Sequence, residues 1–272
     1  MRKKLQTVKT NFMEKFPLSV AIITKNEEEN IAACLRSVDF AAQAVVVDSG
    51  SMDKTLEIAA GFGCETHRED WHGFGPQKQL AIDRCVQPWI LILDADERIP
   101  RETAEVIKAI LTDEGTGAAG YSFPRKNFFQ GRWIKHAGWW PDRILRLFQK
   151  GSGKMTMASV HESIEVNGLI EHLNVPIEHF TESDLGKILH KINRYSTLGA
   201  LESFKEGKRS TPQGAFLRAL FTFLQDYFFR GGFLDGSQGL TLAVTDAVNK
   251  FFKYAKLSEL GRMTCGNNKE KY

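Results

Sequence analysis

Three short apolar segments constrain this chain most. Each ends on a polar or acidic residue, and each is followed by a helical pattern. Leu18–Thr24 reads LSVAIIT, Ala44–Asp48 reads AVVVD and Trp89–Asp94 reads WILILD. Apolar runs of this length without alternation mark strands that are buried on both faces. After the first run, Ile31, Cys34, Leu35 and Val38 fall on one face of a helix. Ser51 is placed to cap a second helix through Leu56, Ala59 and Ala60, stopped by Gly61 and Gly63, and Cys64–Arg68 fits another short strand. Pro76 suits the first turn of a third helix, and Pro100 and Arg101 open a fourth with Ala104, Ile107 and Leu111 inward. Such alternation predicts an α/β fold with a mostly parallel central sheet flanked by helices. Ligands of these sheets bind beyond the carboxyl ends of the strands, where Glu27, Asp48 and Asp94 stand.

The pattern changes after Gly120. Tyr121–Phe123, Arg143–Phe148, Ser163–Val166 and Leu169–Val175 read as strands, and Asn167-Gly168 predicts a hairpin between the last two. Thr181 and Asp184 fit a capping box for a helix through Leu185, Ile188, Leu189, Ile192 and Tyr195. Nine of the 19 phenylalanines fall between Phe204 and Phe252, a composition shift that sets off a helical section. The expected organisation is a tail over 1–17, an α/β domain over 18–180 and a helical section over 181–272. The α/β domain divides into a first half (18–112) and a second half (113–180).

Composition narrows the function classes. The formal charge is +3 and the basic residues are scattered, so no nucleic-acid partner is expected. The four cysteines, Cys34, Cys64, Cys85 and Cys265, form no C-x-x-C pair and read as small buried hydrophobes in a reducing compartment. The basic start lacks the apolar core of a secretory signal, and no apolar stretch is long enough to span a bilayer. A cytoplasmic location is expected, with the inner-membrane surface as a candidate contact. The segment Phe216–Phe233 carries that candidacy, being rich in aromatics with Arg218 and Arg230 interspersed. A helix packed on the catalytic domain or on a second subunit explains it equally well.

The most informative chemistry lies in Asp94-Ala95-Asp96-Glu97. Carboxylates one residue apart at the mouth of a parallel sheet suit a hard divalent cation, Mg²⁺ or Mn²⁺, which shares its ligands with phosphates. In Val47-Asp48-Ser49-Gly50-Ser51-Met52-Asp53, Asp48 ends a strand where a base or ribose is held in related sheets, while Asp53 also fits a helix first turn. Thr24-Lys25-Asn26-Glu27 offers polar groups to a nucleoside, and Lys78 could reach a phosphate. A sugar-nucleotidyltransferase would need a glycine-rich loop after the first strand, which is absent, and a haloacid-dehalogenase-type phosphatase would need a different residue at Arg98.

Together LSVAIITKNEEENIAACLRSV, VVVDSGSMDKT, QKQLAID and WILILDADE, in this order, resemble the family 2 glycosyltransferases of the GT-A fold. The resemblance covers roughly the first 170 residues. VDSGS, Trp139–Phe148, Val160-His161-Glu162 and Gly232–Gly236 are closer still to the bacterial lipopolysaccharide-core glucosyltransferases of the WaaE/KdtX type. One departure is Asp48-Ser49, where the family commonly has two adjacent aspartates. The resemblance implies an inverting transfer, glucosyl by preference, from a UDP-sugar to a lipopolysaccharide-core or other cell-envelope glycan or glycolipid acceptor. It implies that Thr24, Asn26, Glu27, Asp48, Ser49, Asp53, Lys78, Asp94 and Ala95 hold the nucleotide, and that Asp96 and His161 hold the metal. An inverting enzyme needs a carboxylate to deprotonate the acceptor hydroxyl. Glu162 is the favoured candidate and Asp142 the alternative. Trp139 and Trp140 are candidate acceptor platforms, with buried aromatic core as the competing reading.

Overall fold

A computed structural model describes residues 15–113, 117–156, 163–181 and 184–266, with side chains to residue 263. The elements are β1 (Phe16–Thr24), α1 (Ile31–Ser37), β2 (Ala41–Asp48), α2 (Thr55–Gly61), β3 (Glu65–Arg68), α3 (Phe74–Asp83), β4 (Trp89–Asp94), β5 (Glu97–Arg98), α4 (Arg101–Thr112) and β6 (Ala118–Phe129). They continue with β7 (Arg132–Trp133), β8 (Asp142–Gln149), β9 (Gly153–Met155), β10 (Ile164–Val166), β11 (Leu169–His172), β12 (Ile177–Phe180), α5 (Leu185–Lys205), α6 (Pro212–Leu224) and α7 (Gly236–Gly266). Between α6 and α7 run a π-helical turn, Gln225–Phe229, and a 3₁₀ turn, Gly232–Asp235.

By contacts the chain falls into two compact units. The first runs through Phe123 and resumes over Ile144–Ile177, and the second comprises Pro124–Arg143 and the chain from Glu178 onward. The sequence reading draws one boundary after residue 180, whereas this division is interleaved.

In the first unit the strand order is β3-β2-β1-β4-β8-β6. β1 pairs in parallel with β2 and β4, and β2 with β3. β8 joins β4 antiparallel, with Leu91 opposite Leu147. The apolar runs become strands because each side chain finds cover on alternating faces. Leu18, Val20 and Ile22 pack with Ile31, Leu35 and Ile107 of α1 and α4, while Ala21 and Ile23 pack with Ala81 and Ile82 of α3. The expected α/β architecture, with parallel pairing among β1, β2, β3 and β4, is therefore present.

Three local expectations are corrected. Ser51 does not cap α2, whose first residue is Thr55; its hydroxyl instead binds the Asp48 carboxylate. Asn167-Gly168 does not close a hairpin, because β10 pairs with β9 while β11 pairs in parallel with β6. Gly168 is needed there for space, since a Cβ would fall 2.6 Å from the Cβ of Ala119. Asp184 alone caps α5, accepting from the Lys187 amide at 2.8 Å; Thr181 donates to the Phe128 carbonyl instead.

In the second unit α7 packs against both α5 and α6. Thr211 caps α6 through the Gly214 amide at 3.1 Å, with Pro212 at the first helical position. A small core of Phe129, Ile134, Ala137 and Leu242 is joined by Trp139. Asp235 accepts from the amides of Lys135 and His136 at 3.2 and 2.9 Å. A Cβ on Gly239 would lie 1.9 Å from the Gly232 carbonyl oxygen, so α7 meets the preceding turn backbone to backbone. Among the described residues no helix is long and apolar enough to cross a membrane.

Candidate active site

Parallel pairing brings three strand ends to one edge. Thr24 lies opposite Asp48, and Ile23 opposite Asp94. The loops that leave β1 and β2 are laced together there. The Asp48 carboxylate is fully buried and accepts from the amides of Gly50 and Ser51 at 3.0 and 2.9 Å. Asn26, at a φ of +55°, accepts from the Met52 amide at 2.9 Å, and its own amide donates to Ser51 Oγ at 2.8 Å. The Glu27 amide donates to Thr55 Oγ1 at 2.8 Å, and the Glu28 amide to Asp53 at 3.2 Å. Ser49 donates its amide to the Thr24 carbonyl at 3.0 Å. Burial opposes ionisation of Asp53, yet the Thr55 hydroxyl and the amides of Thr55 and Glu28 hold its carboxyl below the ordinary range.

These side chains shape a cradle for a ligand more than they point free charges at one. One polar atom in it has no partner: the hydroxyl of Thr24, on a residue only 5% exposed. The same holds for the amide oxygen of Gln77 on α3. A buried acceptor or donor left unmet costs about 1–3 kcal/mol, which a ligand hydroxyl or water would relieve.

The end of β4 carries the charge. Lys78 from α3 reaches Asp94 Oδ1 at 3.0 Å. Arg146, on the neighbouring β8, reaches Asp94 Oδ2 at 2.8 Å and Glu97 Oε1 at 2.7 Å. The Asp94 amide donates to Glu97 at 3.1 Å. Glu97 is fully buried and Arg146 nearly so. Burial opposes a charge on Arg146, but the Glu97 and Asp94 carboxylates hold its proton more tightly than usual. Two cations thus balance two carboxylates. Asp96, half-buried between Ala95 and Glu97, adds a further negative charge to the mouth. Its field is felt at Cys34, whose thiol is pushed well up by burial first and then by Glu97, Asp96 and Asp94.

The sequence-derived residues Thr24, Asn26, Glu27, Asp48, Ser49, Asp53, Lys78, Asp94, Ala95 and Asp96 all belong to the first unit, at the carboxyl edge of its parallel strands or on α3 beside it. His161 and Glu162 lie outside the described residues. Among the described residues no three His, Cys, Asp or Glu side chains converge into a metal cage. That donor set still fits Mg²⁺, which keeps waters and takes only one or two carboxylates besides substrate phosphates.

Asp142, Trp139 and Trp140 belong to the second unit. Arg125 grips Asp142 Oδ2 through Nε at 2.9 Å and a terminal nitrogen at 2.6 Å, with Asn127 Nδ2 at 3.4 Å. His179 in turn meets Asn127 Oδ1 at 2.7 Å. Trp139 packs edge-on to Phe129 in the small core, and Trp140 stands edge-on to Trp133. Lys126 and Lys135 lie 5.0 and 4.6 Å from the Trp133 ring centre.

Sequence reasoning missed Arg146, Arg125 and Trp133, and named Glu97 without giving it a role. Arg146 had a signal: a lone cation inside the apolar strand ILRLF must be paired if it is buried.

The chain is similar to known glycosyltransferases. The lipopolysaccharide core biosynthesis glycosyltransferase LpsC of Rhizobium meliloti is 33% identical over 89% of this chain and 92% of its own length. An uncharacterised glycosyltransferase of Rickettsia typhi is 28% identical over 89% of this chain and 87% of its own. A solved structure of glucosyl-3-phosphoglycerate synthase from Mycobacterium tuberculosis, with Mn²⁺, UDP and phosphoglyceric acid, covers 64% of this chain and 73% of that one at 16% identity and a TM-score of 0.44. Residues 19–170 match the model of glycosyl transferase family 2, and with the GT-A-type strand-end site described above the chain belongs to that family.

Proposed function

We propose that this glycosyltransferase moves a sugar, glucose by preference, from a UDP-sugar to a lipopolysaccharide-core or related cell-envelope glycan, with inversion at the anomeric carbon. The observation that carries the donor half is the neutralised Lys78–Asp94–Arg146–Glu97 cluster beside Asp96. It places the half-buried carboxylate of Asp96 at the strand mouth, next to a cradle that still has an unmet hydroxyl on Thr24. The acceptor half is supported by the name of the relative LpsC and by the aromatic and basic residues around Trp133 and Trp140.

In this reading the loops after β1 and β2 hold the nucleoside, with Asn26, Asp48, Ser49 and Asp53 fixing the loop backbone and Thr24 and Glu27 at its rim. Asp96 would hold a divalent cation, with His161 either a further ligand or a group that orients the diphosphate. When bound, that cation offsets charge on the leaving diphosphate. Lys78 and Arg146 keep Asp94 and the adjoining Ala95 peptide in register against it. Glu162 accepts the proton of the acceptor hydroxyl as that oxygen attacks the anomeric carbon. Asp142 is assigned the lesser role, because Arg125 and Asn127 fix its carboxylate in one orientation. Trp140 with Trp133 offers a ring edge to the acceptor, while Trp139 serves the small core.

Thermal-shift titration with UDP, ADP, GDP and CMP, each with and without Mn²⁺, tests the donor site. A ligand at about 100 times its Kd stabilises by about 2.7 kcal/mol. Metal-dependent stabilisation by UDP, lost in Asp96→Ala, is the expected result. No response to any of the four nucleotides would overturn it.

A further inference from the structure

Helix α6 is amphipathic in reverse. Its small residues Ala215 and Ala219 are buried, while Phe216, Leu217, Leu220, Phe221 and Leu224 are exposed. At 3.6 residues per turn these five side chains span an arc of about 140°. Exposed apolar groups continue past the helix. Phe228 and Phe229 on the π-helical turn are exposed, Phe229 to 81%, as are Phe233 and Leu234 on the 3₁₀ turn. A soluble surface rarely gathers so many large apolar groups without a partner.

The charges of this stretch are one-sided. Pro212–Asp235 contains two arginines and two aspartates. Both aspartates are buried: Asp226 pairs with Arg230 at 3.0 Å, and Asp235 accepts the amides of Lys135 and His136. The solvent-facing charges of the stretch, Arg218 and Arg230, are therefore both positive. Beside the arc, Gly214, Leu217, Arg218, Phe221, Lys250 and Tyr254 line a cavity of about 420 Å³ between α6 and α7. The Arg218 guanidinium lies 4.6 Å from the Tyr254 ring centre. Two cations under an apolar lip are suited to a phosphate whose attached chain is greasy. A second copy of this face would instead bring one Arg218 toward another, with no exposed acid in the stretch to offset it.

We propose that α6 and the turns after it lie in the headgroup layer of a bilayer rich in anionic phospholipid. Phe221, Phe229 and Phe233 reach the acyl boundary, and Arg218 and Lys250 take a lipid phosphate. The mode is in-plane, since no described helix is long and apolar enough to cross. The inference rests on this face alone and is independent of the sugar-transfer reading.

Vesicle flotation of the full chain tests it. Phosphatidylcholine vesicles are compared with vesicles holding roughly a quarter phosphatidylglycerol, at about 0.15 M salt. The chain should float with the anionic vesicles and bind the neutral ones at least roughly tenfold more weakly. The double variant Phe221→Ser/Phe229→Ser should lose at least about tenfold in partition, with an unchanged melting temperature. Arg218→Glu/Lys250→Glu should erase the preference for phosphatidylglycerol. Absence of binding to either vesicle, or wild-type binding by the serine variant, overturns the proposal. So does equal binding to both vesicles. A dimer found by sedimentation equilibrium without lipid, and abolished in the serine variant, overturns it in favour of a second copy.

Discussion

Strand β4 and helix α6 carry apolar runs of similar density, WILILD and FLRALFTFL, and meet different fates. In β4, Ile90, Leu91, Ile92 and Leu93 are almost wholly buried, because neighbouring strands flank the run and helices cover both sheet faces. In α6 the alanine side is covered, and Phe216, Leu217, Leu220, Phe221 and Leu224 stay exposed. Polar groups invert in the same sense. Around β4, charged side chains are sealed inside and paired, as Arg146 is with Asp94 and Glu97. Around α6, Arg218 stays at the surface. An apolar run therefore reports that something covers it, and the surrounding chain decides whether the cover is internal.

The buried cluster gives the largest test of that contrast. Arg146→Met removes the guanidinium that pairs with Asp94 and with buried Glu97, which should cost about 3–5 kcal/mol in urea unfolding. A loss under about 1 kcal/mol would mean that the cluster is not sealed as described.

Matched truncations compare the two runs directly. Leu91→Ala should destabilise by about 2–5 kcal/mol, whereas Phe221→Ser should stay within about 0.5 kcal/mol of wild type. Equal losses would show that α6 is covered in solution.

Asp96→Ala separates site from scaffold. Transfer should fall by about 10²–10³-fold, on the scale of one lost electrostatic group, with little change in melting temperature. Retained metal-dependent activity would remove Asp96 from its assigned role.

Smaller effects come from pH, with opposite signs in the two units. Burial, and the Asp226 carboxylate nearby, push the Asp246 carboxyl up to about 6, against the pull of Lys250 and Arg230. The folded state then holds a proton that the unfolded chain releases from about pH 4. Stability should fall as pH rises from about 4 to about 6, by on the order of 2 kcal/mol, and Asp246→Asn should flatten that slope. Asp53 behaves oppositely: its folded pKa is depressed, so its contribution is present at neutral pH and lost as pH falls below the ordinary carboxylate range. Urea midpoints measured against pH for Asp246→Asn and Asp53→Asn resolve both.

Much of the donor half was legible before the structure. Apolar runs that end in Asp48 and Asp94 announce buried strands with carboxylates at their ends, since a hydrophobic period is a local property. Turn chemistry was read less well. Asn167-Gly168 looked like a hairpin because that signal is local, yet β11 pairs with β6, a strand begun some fifty residues earlier. Ser51 looked like a cap because it precedes a helical pattern, yet the Asp48 carboxylate claims its hydroxyl.

By itself the sequence determined the alternation of strands and helices, the order of the motifs and the family they belong to, because these rest on periodicity and on residue type at fixed spacing. Tertiary structure alone decided which charges meet. Arg146 lies 52 residues from Asp94 and Arg125 lies 17 from Asp142, and nothing local in the chain pairs them. It also decided that α6 turns its alanines inward. Only the placement of α7 determines which side of α6 loses its water, and that placement comes from packing over the whole unit.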